Sequence, residues 1–198
     1  MKTFAQAAFL AAAGRSAEFP AEGPPEIAFL GRSNVGKSSA INAIAGRRRL
    51  AFASKAPGRT QTINFYDLGK IGRLVDLPGY GYARVPRSER AKWDQLVRSY
   101  LLERKSLAGV VVLMDARHPV TPQDERLLDW LAPLSLPCLA LLTKADKLSR
   151  TERAKALAQA RRAVAEVMLF SSLSREGVEA ARERLARWLL EAPSGRPK

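Results

Sequence analysis

Apolar residues fall into short runs separated by longer amphipathic stretches. Residues 26–30 form one run, with Ile27, Ala28, Phe29 and Leu30 in succession. Similar runs occupy 62–68, 73–77, 110–115, 137–142 and 164–170, each bounded by turn residues, and each predicts a strand. The second and third are joined by the tight Gly69-Lys70-Ile71-Gly72 turn, so they are expected to pair antiparallel. The last three are each separated from the next by a helical segment. That alternation predicts an α/β fold in three layers, a mostly parallel six-stranded sheet with helices on both faces.

The helices carry start and stop signals. Ser39 to Ala45 read as a helix ended by Gly46. Ser88 precedes Trp93, Leu96, Val97, Tyr100 and Leu101 at helical spacing. Thr121, Pro122 and Asp124 form an N-cap, a first-turn proline and an acidic third residue. Ser149-Arg150-Thr151-Glu152 is a capping box, and Leu185, Trp188 and Leu189 line the last helix. The three tryptophans read as helix-to-sheet core. Residues 1–22 are expected to form an edge strand or short helix packed on one domain spanning 23–192, with 193–198 a disordered tail.

Composition adds a partner. The 198 residues contain 33 Lys and Arg against 19 Asp and Glu, a formal net charge of +14, with 46% hydrophobic residues. A globular chain this basic points to a polyanion, most directly nucleic acid. The single cysteine, Cys138, sits in an apolar run and excludes a disulfide framework, which fits a reducing compartment. No stretch reaches about 18 apolar residues, so no membrane helix is expected.

The chemistry begins directly after the first run. Residues 31–38 read GRSNVGKS, the pattern G-x-x-x-x-G-K-[ST], filled by Gly31, Gly36, Lys37 and Ser38. Glycines at that spacing let the backbone wrap a polyphosphate, and loop amides together with the next helix point at the anion. Lys37 would reach the β- and γ-phosphates and Ser38 would offer its hydroxyl to Mg²⁺. The third run also ends in chemistry: Asp76-Leu77-Pro78-Gly79 is a D-x-x-G at the carboxyl end of a strand. There the Asp holds a metal-bound water and the Gly amide meets the γ-phosphate.

Base selection follows from Thr143-Lys144-Ala145-Asp146, which is similar to the N-K-x-D motif of GTPases. A carboxylate at Asp146 accepts from both N1–H and the 2-amino group of guanine, and adenine leaves it unpaired, so the site rejects adenine. Lys144 can lay its stem over the ring. Thr143 stands where the motif has Asn, and one hydroxyl cannot reproduce both amide contacts. A main-chain amide in Ser171-Ser172-Leu173 could donate to guanine O6. The polar loop from Arg47 to Gln61 is a candidate switch segment. Thr60 is the residue chosen to complete the Mg²⁺ shell, and Thr62 is expected to begin the strand.

The longer strings PEIAFLGRSNVGKSSAINAI, APGRTQTINFY, DLPGYGYA, TKAD and FSS resemble the EngB family of bacterial GTPases over most of the chain. The resemblance implies GTP or GDP contacts from Gly31, Arg32, Ser33, Asn34, Val35, Gly36, Lys37 and Ser38; from Gly58, Arg59, Thr60, Gln61 and Thr62; and from Asp76, Leu77, Pro78 and Gly79. It adds Thr143, Lys144, Ala145 and Asp146, with Phe170, Ser171 and Ser172. It implies Mg²⁺ on Ser38 and Thr60, catalytic roles for Lys37, Thr60 and Gly79, and a cytoplasmic protein acting on the large ribosomal subunit and needed for septation. A monomer is expected, and K⁺ beside Asn34 is a further expectation. Tyr80 follows the D-x-x-G where Ras-like enzymes have a water-orienting Gln, so intrinsic hydrolysis should be slow. A small-molecule kinase is disfavoured by Asp146, and a nucleotide-regulated RNA-binding module with little hydrolysis is the alternative. His118, the only histidine, reads as a solvated loop residue.

Overall fold

The computed structural model describes residues 4–52, 62–80 and 87–192, with side chains of 87–90, 92 and 93 left aside. Seven strands are β1 (Ala8–Ala13), β2 (Glu26–Gly31), β3 (Ile63–Asp67), β4 (Arg73–Asp76), β5 (Leu107–Asp115), β6 (Cys138–Thr143) and β7 (Glu166–Leu169). The helices are α1 (Lys37–Ala45), α2 (Arg87–Glu103), α3 (Pro122–Leu131), α4 (Arg150–Ala160) and α5 (Val178–Glu191). One sheet holds all seven strands in the order β1-β3-β4-β2-β5-β6-β7. β2 pairs parallel with β4 and β5, and β6 parallel with β5 and β7. The β3–β4 hairpin is antiparallel, as its short turn requires.

The sheet has one strand more than the six expected. The addition is β1, which pairs antiparallel with the outer side of β3. Its sequence AFLAAA lacks the in-out alternation of a half-buried strand, because an edge strand exposes most of its residues. α2 includes Ser88 and starts at Arg87, one residue ahead of the expected cap. Trp93 has its side chain outside the described set, Trp188 is buried and Trp130 is half-buried against the core.

β2 shows why both sheet faces are covered. Ile27 and Phe29 pack toward α1 and α5, whereas Ala28 and Leu30 pack toward α2, α3 and α4. The strand's polar first residue is also fully buried. Glu26 accepts from Tyr100 Oη at 2.9 Å, Arg104 Nε and Nη2 at 2.9 and 2.6 Å, and Arg73 Nη1 at 3.0 Å. Those bonds pin the end of α2 and the start of β4 to the amino end of β2. The opposite, carboxyl ends of the parallel strands are left to carry the loops.

Candidate nucleotide site

β2 leads into the phosphate loop. Gly36 caps α1 at φ 100°, a dihedral that glycine takes without strain, and it brings no side chain to cap the helix. The first-turn amides of α1 therefore have no partner among the described residues, at the positive end of the helix dipole. Lys37, on that turn, pairs with Asp76 Oδ1 at the end of β4, and the two side chains are 13% and 6% exposed. Each ion is thus the other's partner in a site nearly closed to water.

The D-x-x-G segment lies directly on this loop. Tyr80 N–H donates to Gly31 O at 3.2 Å, and Ser33 N–H donates to Tyr80 O at 3.1 Å. The β2–β4 pairing thus gains a parallel bridge between Arg32 and Tyr80. Gly79 fits beneath because an added Cβ would crowd Gly31 O at 3.3 Å. The Tyr80 side chain reaches α3: its hydroxyl donates to Asp124 Oδ1 at 2.7 Å. Asp124 is fully buried, and its Oδ2 accepts from Thr121 N–H and Oγ1 at 2.8 and 2.6 Å at the head of α3. Arg32 Nε lies 3.6 Å from that carboxylate and makes no hydrogen bond among the described residues. Burial, then the Asp124 charge, pushes the Tyr80 phenol well above its ordinary range, so it stays a donor.

The base-reading motif follows β6. Thr143 Oγ1 lies 2.7 Å from Val35 O and 3.0 Å from Met114 O. A hydroxyl has one proton, and the shorter contact makes Val35 O its acceptor. Thr143 therefore braces the phosphate loop with one hydrogen bond in place of an amide's two. Lys144, at φ 60°, reaches across to Asn34 O at 2.9 Å and Asp115 Oδ2 at 2.8 Å. Its stem thereby bridges the two loops. Burial opposes ionisation of Asp115, but hydrogen bonds from Arg117 and Lys144 outweigh it and hold the carboxyl well below the usual range.

Asp146 accepts from Ser171 Oγ at 2.5 Å, and Ala145 N–H donates to Phe170 O at 3.2 Å, so the two base-side loops are tied together. Ser171 N–H donates to Glu176 O, and Leu173 N–H to Ser171 Oγ. Of the three amides proposed to face guanine O6, Ser172 N–H is left without a partner among the described residues.

The structure thus gathers Gly31–Ser38 residues, Asp76 to Gly79, Thr143 to Asp146 and Phe170 to Ser172 at one edge of the sheet. Gly58, Arg59, Thr60 and Gln61 lie outside the described residues. Thr62 precedes β3 and donates its hydroxyl to Asn64 Oδ1 at 3.1 Å. Of the expected metal pair, Thr60 is outside the described residues and Ser38 is half-buried on α1, its hydroxyl without a partner among them. A hydroxyl one residue along α1 from Lys37, which itself pairs with Asp76, suits Mg²⁺, which takes few protein ligands and keeps several waters. Sequence reasoning overlooked Asp115, although it closes β5 beside the site, and saw in Asp124 only a helix cap. His118 is exposed, as a solvated loop residue should be. Among the described residues no helix is long and apolar enough to cross a membrane.

A family model described as "50S ribosome-binding GTPase" matches residues 26–144. A protein of Thiobacillus denitrificans named probable GTP-binding protein EngB is 55% identical over 169 residues, covering 83% of this chain and 82% of the relative. One of the same name from Aromatoleum aromaticum is 50% identical over 195 residues, covering 96% and 90%. Among solved structures, a probable GTP-binding protein engB superposes with a TM-score of 0.66 at 24% identity, covering 84% of this chain and 99% of that one. Era in complex with MgGDPNP and a 16S ribosomal RNA fragment superposes with a TM-score of 0.68 at 18% identity, covering 89% and 59%. With the phosphate loop, the D-x-x-G and the Asp146 motif on one sheet edge, and this identity over nearly the full length, the chain belongs to the EngB family of GTP-binding proteins and is a GTPase.

Proposed function

We propose that this GTPase is a slow, nucleotide-dependent switch that acts on the large ribosomal subunit during its assembly, in the cytoplasm and as a monomer, and that normal septation depends on it. The observation that carries the switch is the Lys37–Asp76 pair. A triphosphate needs Lys37, and a magnesium-bound water needs Asp76, so binding must part them and lift the Asp76–Tyr80 segment from Gly31 and Ser33. Ser38 and Thr60 would hold Mg²⁺, whose contribution is to neutralise charge on the phosphate oxygens. Lys37 and the α1 amides orient the phosphates, Gly79 N–H meets the γ-phosphate, and Asp146 with Ser172 N–H selects guanine.

Slow turnover is supported by Tyr80. A phenol, not a carboxamide, follows Gly79 at the place where Ras-like enzymes orient the attacking water. The ribosomal reading is supported by the description of the matching family and by the charge of +14. The alternative of an RNA-binding module with little hydrolysis differs in turnover. Phosphate release under saturating GTP, beside sedimentation with large subunits in GDP and in a non-hydrolysable GTP analogue, tests both. Subunit binding indifferent to nucleotide would overturn the switch.

A further inference from the structure

Arg47, Arg48 and Arg49 follow α1 as three consecutive exposed cations. An ordinary reason for cations there is to satisfy the carbonyls at the helix end. Other residues already do so. Arg182 donates to Ile44 O at 2.7 Å and to Ala43 O at 3.1 Å, and Arg175 donates to Ala43 O at 3.2 Å. Gly46 and Arg47 amides fold back onto Ala43 O and Asn42 O. The side chains of Arg47, Arg48 and Arg49 make no ion pair among the described residues, so their charge is available to a partner.

The segment that carries them is firmly mounted. Asn42 Oδ1 accepts from Leu50 N–H and Ala51 N–H at 2.9 and 2.8 Å, and Asn42 Nδ2 donates to Ala51 O at 2.8 Å. Beside it runs a groove of about 510 Å³ against β1 and β3, within the range of about 300–1,000 Å³ usual for ligand sites. Arg47 and Arg49 line it with Leu50, Tyr66, Phe9 and Phe52, and no acidic residue contributes. Phe9 is 59% exposed and Phe52 71%. Exposed aromatic rings flanking a groove mark a binding surface. Rings interleaved with free arginines match the chemistry of unpaired nucleotides, which offer a π-face and a phosphate at each step.

We propose that this groove holds a short single-stranded stretch of RNA, with bases stacked on Phe52 and Phe9 and backbone phosphates held by Arg47, Arg48 and Arg49. The assignment rests on the reading that ribosomal RNA is the partner. It narrows that reading to unpaired nucleotides, because a duplex keeps its base faces stacked out of reach of both rings. The mount on Asn42 ties the groove to α1, whose other end begins in the G-x-x-x-x-G-K-[ST] loop.

The test measures binding of a labelled single-stranded oligouridine, an RNA duplex of equal length and purified large subunits over a salt series. The full chain is compared with Phe52→Ala, the Phe9→Ala/Phe52→Ala pair, Phe52→Tyr and a triple Arg47→Gln, Arg48→Gln, Arg49→Gln variant. GTP affinity serves as the fold control. Phe52→Ala should weaken oligouridine binding about 5- to 100-fold without changing the salt slope, and Phe52→Tyr should restore it. The triple variant should flatten the log–log slope by about 2, at about 0.7 per phosphate contact, with GTP affinity unchanged. Alanine variants that bind oligouridine and subunits as the parent does would overturn the groove while leaving the ribosomal reading intact. So would a duplex bound as tightly as the single strand, or a dimer that Phe9→Ala/Phe52→Ala dissolves. A parent protein that binds no subunits at any salt would instead overturn the ribosomal reading itself.

Discussion

Replacing Tyr80 by Phe removes one oxygen and tests the switch directly. The ring stays in the core beneath the sheet, so no cavity opens. What is lost is a 2.7 Å hydrogen bond to a carboxylate that is fully buried. Asp124 keeps its two bonds from Thr121, so it is not left bare. A hydrogen bond to a charged group contributes about 1.5–3 kcal/mol, and the surviving partners place this one near about 2 kcal/mol. For a chain of this size that is a fall in Tm of about 4–8 °C for the nucleotide-free protein. In the proposed switch the Tyr80 backbone leaves Gly31 and Ser33 when a γ-phosphate binds and draws the hydroxyl off Asp124 with it, so the bond exists in one state only. By linkage, the variant should then favour a GTP analogue over GDP by about 30-fold more than the parent, the same about 2 kcal/mol expressed as affinity. Calorimetric melting gives the first number and competition titration the second. A lower Tm with an unchanged nucleotide ratio would mean that the bond survives in both states, and the reasoning would fail.

Asp146→Asn should weaken GTP and GDP and favour xanthine nucleotides, since an amide donor then meets an oxygen; retained GTP affinity with no gain for XTP, measured by titration, would remove the base-reading role. Lys37→Ala should lose most triphosphate affinity, and because it strands Asp76 with 6% side-chain exposure it should also lower the melting temperature of the nucleotide-free form; calorimetry checks both. Hydrolysis should be faster in K⁺ than in Na⁺ at equal ionic strength, with Asn34→Ala abolishing the difference; equal rates for the parent would dismiss the K⁺ expectation. Burial, aided by the Glu166 charge, pushes the Cys138 thiol from 9.0 up to about 11, so the neutral form is favoured in the folded state. The stability this contributes is present below about pH 9 and lost as pH rises toward 11, and labelling by a disulfide reagent should rise with a midpoint near 11; a midpoint near 9 would contradict the burial.

Local patterns told most of the architecture. Ile27 to Leu30 followed by the glycine-spaced loop located β2 and α1, and the Gly69–Gly72 turn was enough to pair β3 with β4. β1 was harder, because an edge strand exposed on both sides carries no alternation. Contacts between distant residues were illegible for a different reason. Glu26 looks like a polar strand start, and its burial depends on Tyr100 and Arg104, far along the chain. Asp124 fits a cap pattern, and only the fold brings Tyr80 to its second oxygen. Thr143 looked like a loss of bracing until the structure placed Val35 O within reach of its one proton.

The position of β1 has a consequence for how the protein is made. Ala8 emerges 59 residues ahead of its partner in the sheet, Asp67. At about 5–20 residues per second, translation leaves this uncharged strand without its mate for about 3–12 s. During that interval AFLAAA is an apolar segment open to any neighbouring nascent chain, and even in the finished fold its outer rim offers unpaired amides and carbonyls. A single lysine at Ala12, which is exposed in the sheet, would guard both stages and should raise the yield of soluble protein without touching the nucleotide loops.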